Sequence, residues 1–268
     1  MTKFNQTYST DLKYTEWQQI AEFFPSFQMG RPPKWEKWQV INAILYVNRT
    51  GCQWRMLPVN FPPWRTVYFY YWSWQRDGVW QRINEVLVKK VRKKVGRHER
   101  PSAAVIDSQS VKTSEGGEER GVDVHKQTPG RKRHLVVDVL GLVLLVVVHS
   151  ASIQDGAGGL LTLQKLFDHL KHNLHNRWCR LKLIWADGGY PSIIDAVRQR
   201  FGWTLQIVKR SDDVKGFQVL PHRWVVERTF GWLGRYRRLA RDYEHTTLSS
   251  ESMVYIASSR RILKMLET

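Results

Sequence analysis

The chain has 268 residues, enough for one large domain or two modest ones around a real hydrophobic core. Its hydrophobic fraction of 42% excludes a disordered chain, and a formal net charge of +18 points to a polyanionic partner. The most apolar stretch, Leu135 to Val148, is interrupted by Asp138 and Gly141, short of the ~18 uninterrupted apolar residues of a membrane helix.

The N-terminal "MTKFNQTYSTDLKYTEW" has no apolar segment, so no secretory signal is expected. Cys52 and Cys179 form no paired motif and read as free thiols of a reducing cytoplasm.

Residues 1–100 read as helical. Asp11 or Thr15 is placed to cap a helix over Trp17 to Phe24. In "RPPKWEKWQVINAILYVNRTG" the residues Trp38, Ile41, Leu45 and Asn48 share one helical face, and Gly51 ends the run. Prolines 58, 62 and 63 mark a connector. A helix from Trp64 to about Arg76 stops at "RDG", and the next begins at Val79. Eight of the 13 tryptophans fall in this part, at spacings that follow helix faces, so most are expected in a core. The helices resemble a helix-turn-helix arrangement, a shape that reads DNA. "KKVRKKVGRHER" carries seven lysines and arginines, and Lys89, Lys90, Lys93 and Lys94 are candidates for phosphate contacts.

Residues 101–268 change period. "SAAVIDSQSVKT" reads as a strand ending near Asp107, followed by the polar loop "SEGGEERGVDVHKQTPG". Two strands turn tightly around Gly141. A helix from Asp155, a strand stopping at Asp187, a helix ended by Gly202 and the short strand "TLQIVKR" follow. Two helices, His222 to about Tyr243 and Leu248 to Leu266, close the chain. The first three strands suit an antiparallel meander, and the later two return through helices and so pair in parallel. The expected α/β architecture is a mixed five-stranded sheet with helices on both faces, an order of elements that resembles the ribonuclease H-like fold.

In that order the first and fourth strands are neighbours. Asp107 and Asp187 would then project from one sheet edge, and Glu227, on the penultimate helix, could be brought beside them. Three convergent carboxylates suit hard divalent cations, and two such cations activate one oxygen and stabilise another in phosphodiester cleavage. Glu227 is the one acid among six arginines in "RWVVERTFGWLGRYRRLAR". The bland reading of Arg223 and Glu227 is an exposed i, i+4 ion pair of ~0.3–0.5 kcal/mol. The coincidence of two strand-end aspartates with a helix glutamate in so basic a chain favours the metal-binding reading.

Lesser signals have bland readings. His169, His172 and His175 spread around a helix. Asp138 is a weak candidate for an auxiliary acid, Asp155 reads as a helix cap, and Asp212 and Asp213 as loop residues. Lys112, Arg131, Lys132 and Arg133 read equally as DNA contacts or as solvated charge.

"AVIDSQSVKT", "WADGGY" and "VVERTFGWLGRYRRLARDYE" resemble the three acidic motifs of the DDE transposases of bacterial insertion sequences, in the insertion-sequence-five group, and the likeness runs from about Leu12 to Leu266. The resemblance implies Asp107, Asp187 and Glu227 as catalytic and metal-binding triad, holding two Mg²⁺ or Mn²⁺ ions. It implies hydrolysis at the transposon end and attack of the freed 3′-hydroxyl on target DNA. It also implies binding of double-stranded DNA at terminal inverted repeats, and pairing of two ends by a homodimer or larger synaptic assembly. Lys112, Arg223, Arg228 and Arg235 are the further DNA-binding candidates. Where related enzymes carry a tyrosine before the arginine and a basic residue seven positions after the glutamate, this chain has Leu220 and Gly234, with Arg235 one step later. A DNA-binding regulator derived from a transposase and an RNase H-like nuclease or resolvase are the alternatives. A bacterial, cytoplasmic, nucleoid-associated protein is expected, with no membrane partner.

Overall fold

The computed structural model describes residues 6–24, 34–114, 116–172, 180–208 and 223–267. Asp212, Asp213, Leu220, His175 and Cys179 lie outside them, and the side chains of His172 and Arg223 are also not described.

The N-terminal part is helical: α1 (Tyr14–Gln18), α2 (Lys37–Thr50), α3 (Trp64–Arg76) and α4 (Val79–Lys94), with short 3₁₀ turns at Ala21–Phe23 and Trp54–Met56. Gly51, at φ +73°, ends α2 as expected. The expected helix over Trp17 to Phe24 is instead α1 plus a separate turn. Asp11 does not cap it, because its carboxylate is taken by the backbone N–H groups of Thr7 and Tyr8 at 2.8 and 2.9 Å.

The sheet comprises β1 (Ala103–Lys112), β2 (Gly121–Asp123), β3 (Thr128–Asp138), β4 (Val143–Ser150), β5 (Leu183–Ala186) and β6 (Thr204–Ile207). β1 pairs antiparallel with β3 on one edge and parallel with β5 on the other. β6 lies outside β5. The far edge of β3 carries β4 and the short β2. The meander with parallel returns is therefore present, and the fold is RNase H-like, with the N-terminal helical part before it. The polar loop holds the extra strand β2, which pairs across the first residues of β3. Gly141 makes the β3–β4 turn at φ +79°, where a side chain would also meet Thr229 Oγ1 at 2.7 Å.

Helices α5 (Asp155–His172) and α6 (Ile194–Phe201) cover one face of the sheet, packing on Ala104, Ile106, Val136 and Val147. The opposite face, with Val105, Leu135, Val137 and Val146, is covered by α7 (Arg223–Gly234) and α9 (Thr247–Glu267). The same hydrophobic cluster continues into the N-terminal helices through Ile44, Val67, Ile83 and Leu87, so helical part and sheet share one core.

The penultimate helix does not run on to Tyr243. It stops at Gly234, and a short α8 (Arg237–Ala240) follows an extended Tyr236. The break lets the next residues reach the sheet. Asp242, 1% exposed, lies against Arg131 at 3.4 Å and accepts from Ser250 Oγ at 2.7 Å, while Arg133 donates to Leu239 O at 2.7 Å. Arg131, Lys132 and Arg133 are thus neither solvated nor free for DNA. All three are buried, because β3 turns them onto acids and carbonyls of the chain itself. Unpaired charges there would cost several kcal/mol each.

Candidate active site

Asp107 is the fifth residue of the ten-residue β1, not its end. The strand continues because its second half pairs with β3 as far as Lys112↔Gly130, whereas its parallel pairing with β5 ends at Val105↔Trp185. Beyond that pair no described strand pairs with the β5 side of β1, and Asp107 lies on that stretch. Asp187 follows the last residue of β5. Each aspartate is two residues past the Val105–Trp185 pair, so they occupy matching positions on adjacent parallel strands.

Alternation fixes the face. Val105 packs on the α7/α9 side, and Leu135, the cross-strand partner of Asp107, packs there too. Trp185, two residues before Asp187, borders the same cluster. Helix α7 lies on this side, anchored by Val225, Val226, Phe230 and Leu233, with Thr229 Oγ1 donating to Gly141 O at 3.1 Å. Glu227 is exposed on α7. The chain therefore brings Asp107 and Asp187 to one register and one face, with Glu227 on the helix that covers it. Among the described residues no three His, Cys, Asp or Glu side chains lie close enough to hold one metal ion.

Local backbone orients both aspartates. Asp107 Oδ1 accepts the N–H of Ser108 at 2.7 Å, and Asp187 Oδ1 accepts the N–H of Gly189 at 2.9 Å. A side chain at position 189 would come within 3.1 Å of Asp187 Oδ1 and 3.3 Å of Asp155 Cβ. Asp155 is thus a neighbour of the Asp187 turn, and its carboxylate also accepts from Ser108 Oγ at 2.8 Å and pairs with Lys132 at 2.9 Å. It is the first residue of α5, but its carboxylate makes these side-chain contacts rather than capping the helix. Burial opposes ionisation of Asp155, but the hydrogen bonds from Lys132 and Ser108 and the Lys132 charge outweigh it, and its pKa is lowered. Tyr190 is fully buried beside this group. Burial first, then the negative fields of Asp107, Asp155 and Asp187, push its hydroxyl well above the ordinary range.

Sequence reasoning missed Asp155, Lys132 and Tyr190. Tyr190 stands in "ADGGY", whose strand-end motif was the available signal. Nothing in the spacing joins Lys132 to Asp155. Asp138 is not an auxiliary acid: it is fully buried, pairs with Arg92 and accepts the N–H groups of Leu140 and Leu142 at 2.9 Å, fixing the turn after β3.

The cations divide. Lys112 and Arg235 are exposed, and Arg223 opens α7. Arg228 lies between Trp224 and Trp232, 4.1 and 4.4 Å from their ring centres. In α4, Lys89 pairs with Glu85 at 2.6 Å, Lys90 donates to Gln19 Oε1 at 3.0 Å, Lys93 pairs with Glu99 at 2.8 Å, and Lys94 donates to Leu266 O at 3.0 Å. His169 is not simply solvated. It bonds Glu85 at 3.2 Å, and that bond, against some burial and with help from Lys89, holds the glutamate at about 2.

A family model described as "Transposase DDE domain" matches residues 98–257, more than half of the chain. The chain belongs to the transposase DDE domain family. The matched span of this DDE domain contains Asp107, Asp187 and Glu227. A second model, "Putative transposase of IS4/5 family", matches residues 12–84. Among curated relatives, a putative transposase for insertion sequence element IS402 of Burkholderia cepacia is 34% identical over 43% of this chain and 54% of its own length. An uncharacterised 16.2 kDa protein of the same element is 33% identical over 33% of this chain and 57% of its own length. The chain thus spans a little over half the length of these relatives. The Mos1 mariner paired-end complex with Mn covers 94% of this chain and 84% of its own, at 13% identity and a TM-score of 0.32, too low to bear on the fold.

Proposed function

We propose that this chain is a DNA transposase in which Asp107, Asp187 and Glu227 hold two divalent cations at a scissile phosphodiester. The observation that supports this most is the shared register and face of Asp107 and Asp187, under the helix that carries Glu227. The donor set fits hard cations: it is all carboxylate oxygen, and a fully buried Tyr190 lies in the negative field of Asp107, Asp155 and Asp187. When bound, Mg²⁺ or Mn²⁺ would supply Lewis-acid activation of the attacking and leaving oxygens.

The protein's share is orientation and charge. The Ser108 N–H orients Oδ1 of Asp107, and the Gly189 N–H orients Oδ1 of Asp187. Glu227 would complete the set from α7 when the cations bind, the three side chains not standing together as a metal-holding group beforehand. Lys112, Arg223, Arg228 and Arg235 face the phosphates, and Lys89, Lys90, Lys93 and Lys94, already partnered within the chain, take a smaller share. Residues 1–100 form the part that reads the terminal inverted repeats, residues 101–268 the part that transfers the strand, and two copies pair the two ends.

The test uses labelled duplex carrying the element's end, plasmid target and Mg²⁺. Joined end–target products that vanish in Asp107→Asn and Glu227→Gln, while binding persists, are expected. Cleavage without joining makes the chain a nuclease. Binding without metal-dependent cleavage makes it a regulator.

A further inference from the structure

Away from the carboxylates, a pocket of about 490 Å³ opens between α2, the end of α7 and the last turns of α9. Five cations line it, Arg49, Arg235, Arg260, Arg261 and Lys264, and among the described residues no carboxylate does. Arg260 is neutralised by Glu16. The other four make no ion pair with any described residue, although acids elsewhere on the chain neutralise even its buried cations.

Two of these cations, Arg261 and Arg49, are held in place rather than loose. The Arg261 guanidinium lies 3.3 Å over the centre of the Trp232 ring, and Arg49 lies 5.2 Å from that of Tyr236 while donating to Arg235 O at 2.7 Å. Stacking and carbonyl contacts fix the direction of a guanidinium without cancelling its charge. Four like charges around one opening repel each other unless an anion enters. Burial, and then the charge of Arg228, already pull Arg261 down to about 10.

We infer that this pocket binds backbone phosphates of a DNA strand outside the carboxylate site. This rests on the proposed transposase reading, which supplies the strand. The pocket is wide for one small anion, and its cations stand on three elements, which suits successive phosphates. The strand also has a path. Trp224, Arg228, Trp232 and Arg235 follow one face of α7 and its end, and Trp232 is about 8 Å of helix rise from Glu227. Guanidinium forks match phosphate oxygens.

The test is the anisotropy of a fluorescent duplex titrated with the full-length protein over a range of KCl concentrations. The double variant Arg49→Gln/Lys264→Gln should reduce the slope of log K against log [KCl] by about two, one for each contact removed. Arg49→Lys/Lys264→Arg should keep the wild-type slope, as should Lys165→Gln, an exposed cation on α5. An unchanged slope in the first variant, a reduced slope in the charge-keeping pair, or an equal reduction in Lys165→Gln overturns the pocket alone. A wild-type chain with no salt-dependent duplex binding overturns the pocket together with the transposase reading.

Discussion

Two basic regions of this chain look alike in sequence and behave differently in the fold. Helix α4 carries the denser run of cations, yet three of the five before Val95 are paired with acids, Lys89 with Glu85, Arg92 with Asp138 and Lys93 with Glu99, while Lys90 and Lys94 are held by Gln19 and by the carbonyls ending α9. The α7–α9 region has fewer basic residues in a row. There Arg235, Arg261 and Lys264 stand without an acid among the described residues, and Arg228 is stacked between indoles. Charge density along a sequence is therefore a poor guide to the charge left for a partner. What counts is whether the fold supplies an acid within reach.

That comparison can be broken at its strongest point. Arg92 and Asp138 are both buried, so Asp138→Ala strands a guanidinium in the core and exposes the β3–β4 turn. A loss of about 3–5 kcal/mol in urea unfolding is expected. A loss below ~1 kcal/mol would mean that α4 is not held by this pair. The weakest point lies at the same helix. Lys93 and Glu99 are partly exposed, so Lys93→Gln should change stability by no more than ~1 kcal/mol. The same variant should shift the salt slope of DNA binding by well under one. A full unit lost at Lys93 would show that a partnered lysine still serves the DNA, and would erase the distinction between the two regions.

Much of the fold was legible. The Val- and Leu-rich period of β3 and β4, the glycines at 51, 141 and 202, and the strand stops gave the element order and the neighbouring of the strands that carry Asp107 and Asp187. Two local features were not. The break after Gly234 depends on Asp242 reaching Arg131 across more than a hundred residues, a pairing no local pattern encodes. The continuation of β1 past Asp107 depends on β3 being longer than β5, which local propensity does not weigh. At the site, the two aspartates could be read from strand order, because register follows from topology. Lys132 and Asp155 could not, since a lysine inside a valine-rich strand looks solvated until its acid is located. Asp138, a weak candidate for an auxiliary acid, is structural, and Asp155, read as a helix cap, lies beside the Asp187 turn.

The central claim is that the oxygens of Asp107, Asp187 and Glu227 grip the cations that drive strand cleavage. Its most direct test replaces one hard ligand by a softer one and follows cleavage of labelled end DNA under two metals. Asp187→Cys should be inactive with Mg²⁺ and recover activity with the more thiophilic Mn²⁺, while the wild-type chain works with both and stops in chelator. Full Mg²⁺ activity in Asp187→Cys, or wild-type cleavage that persists in chelator, would contradict the claim.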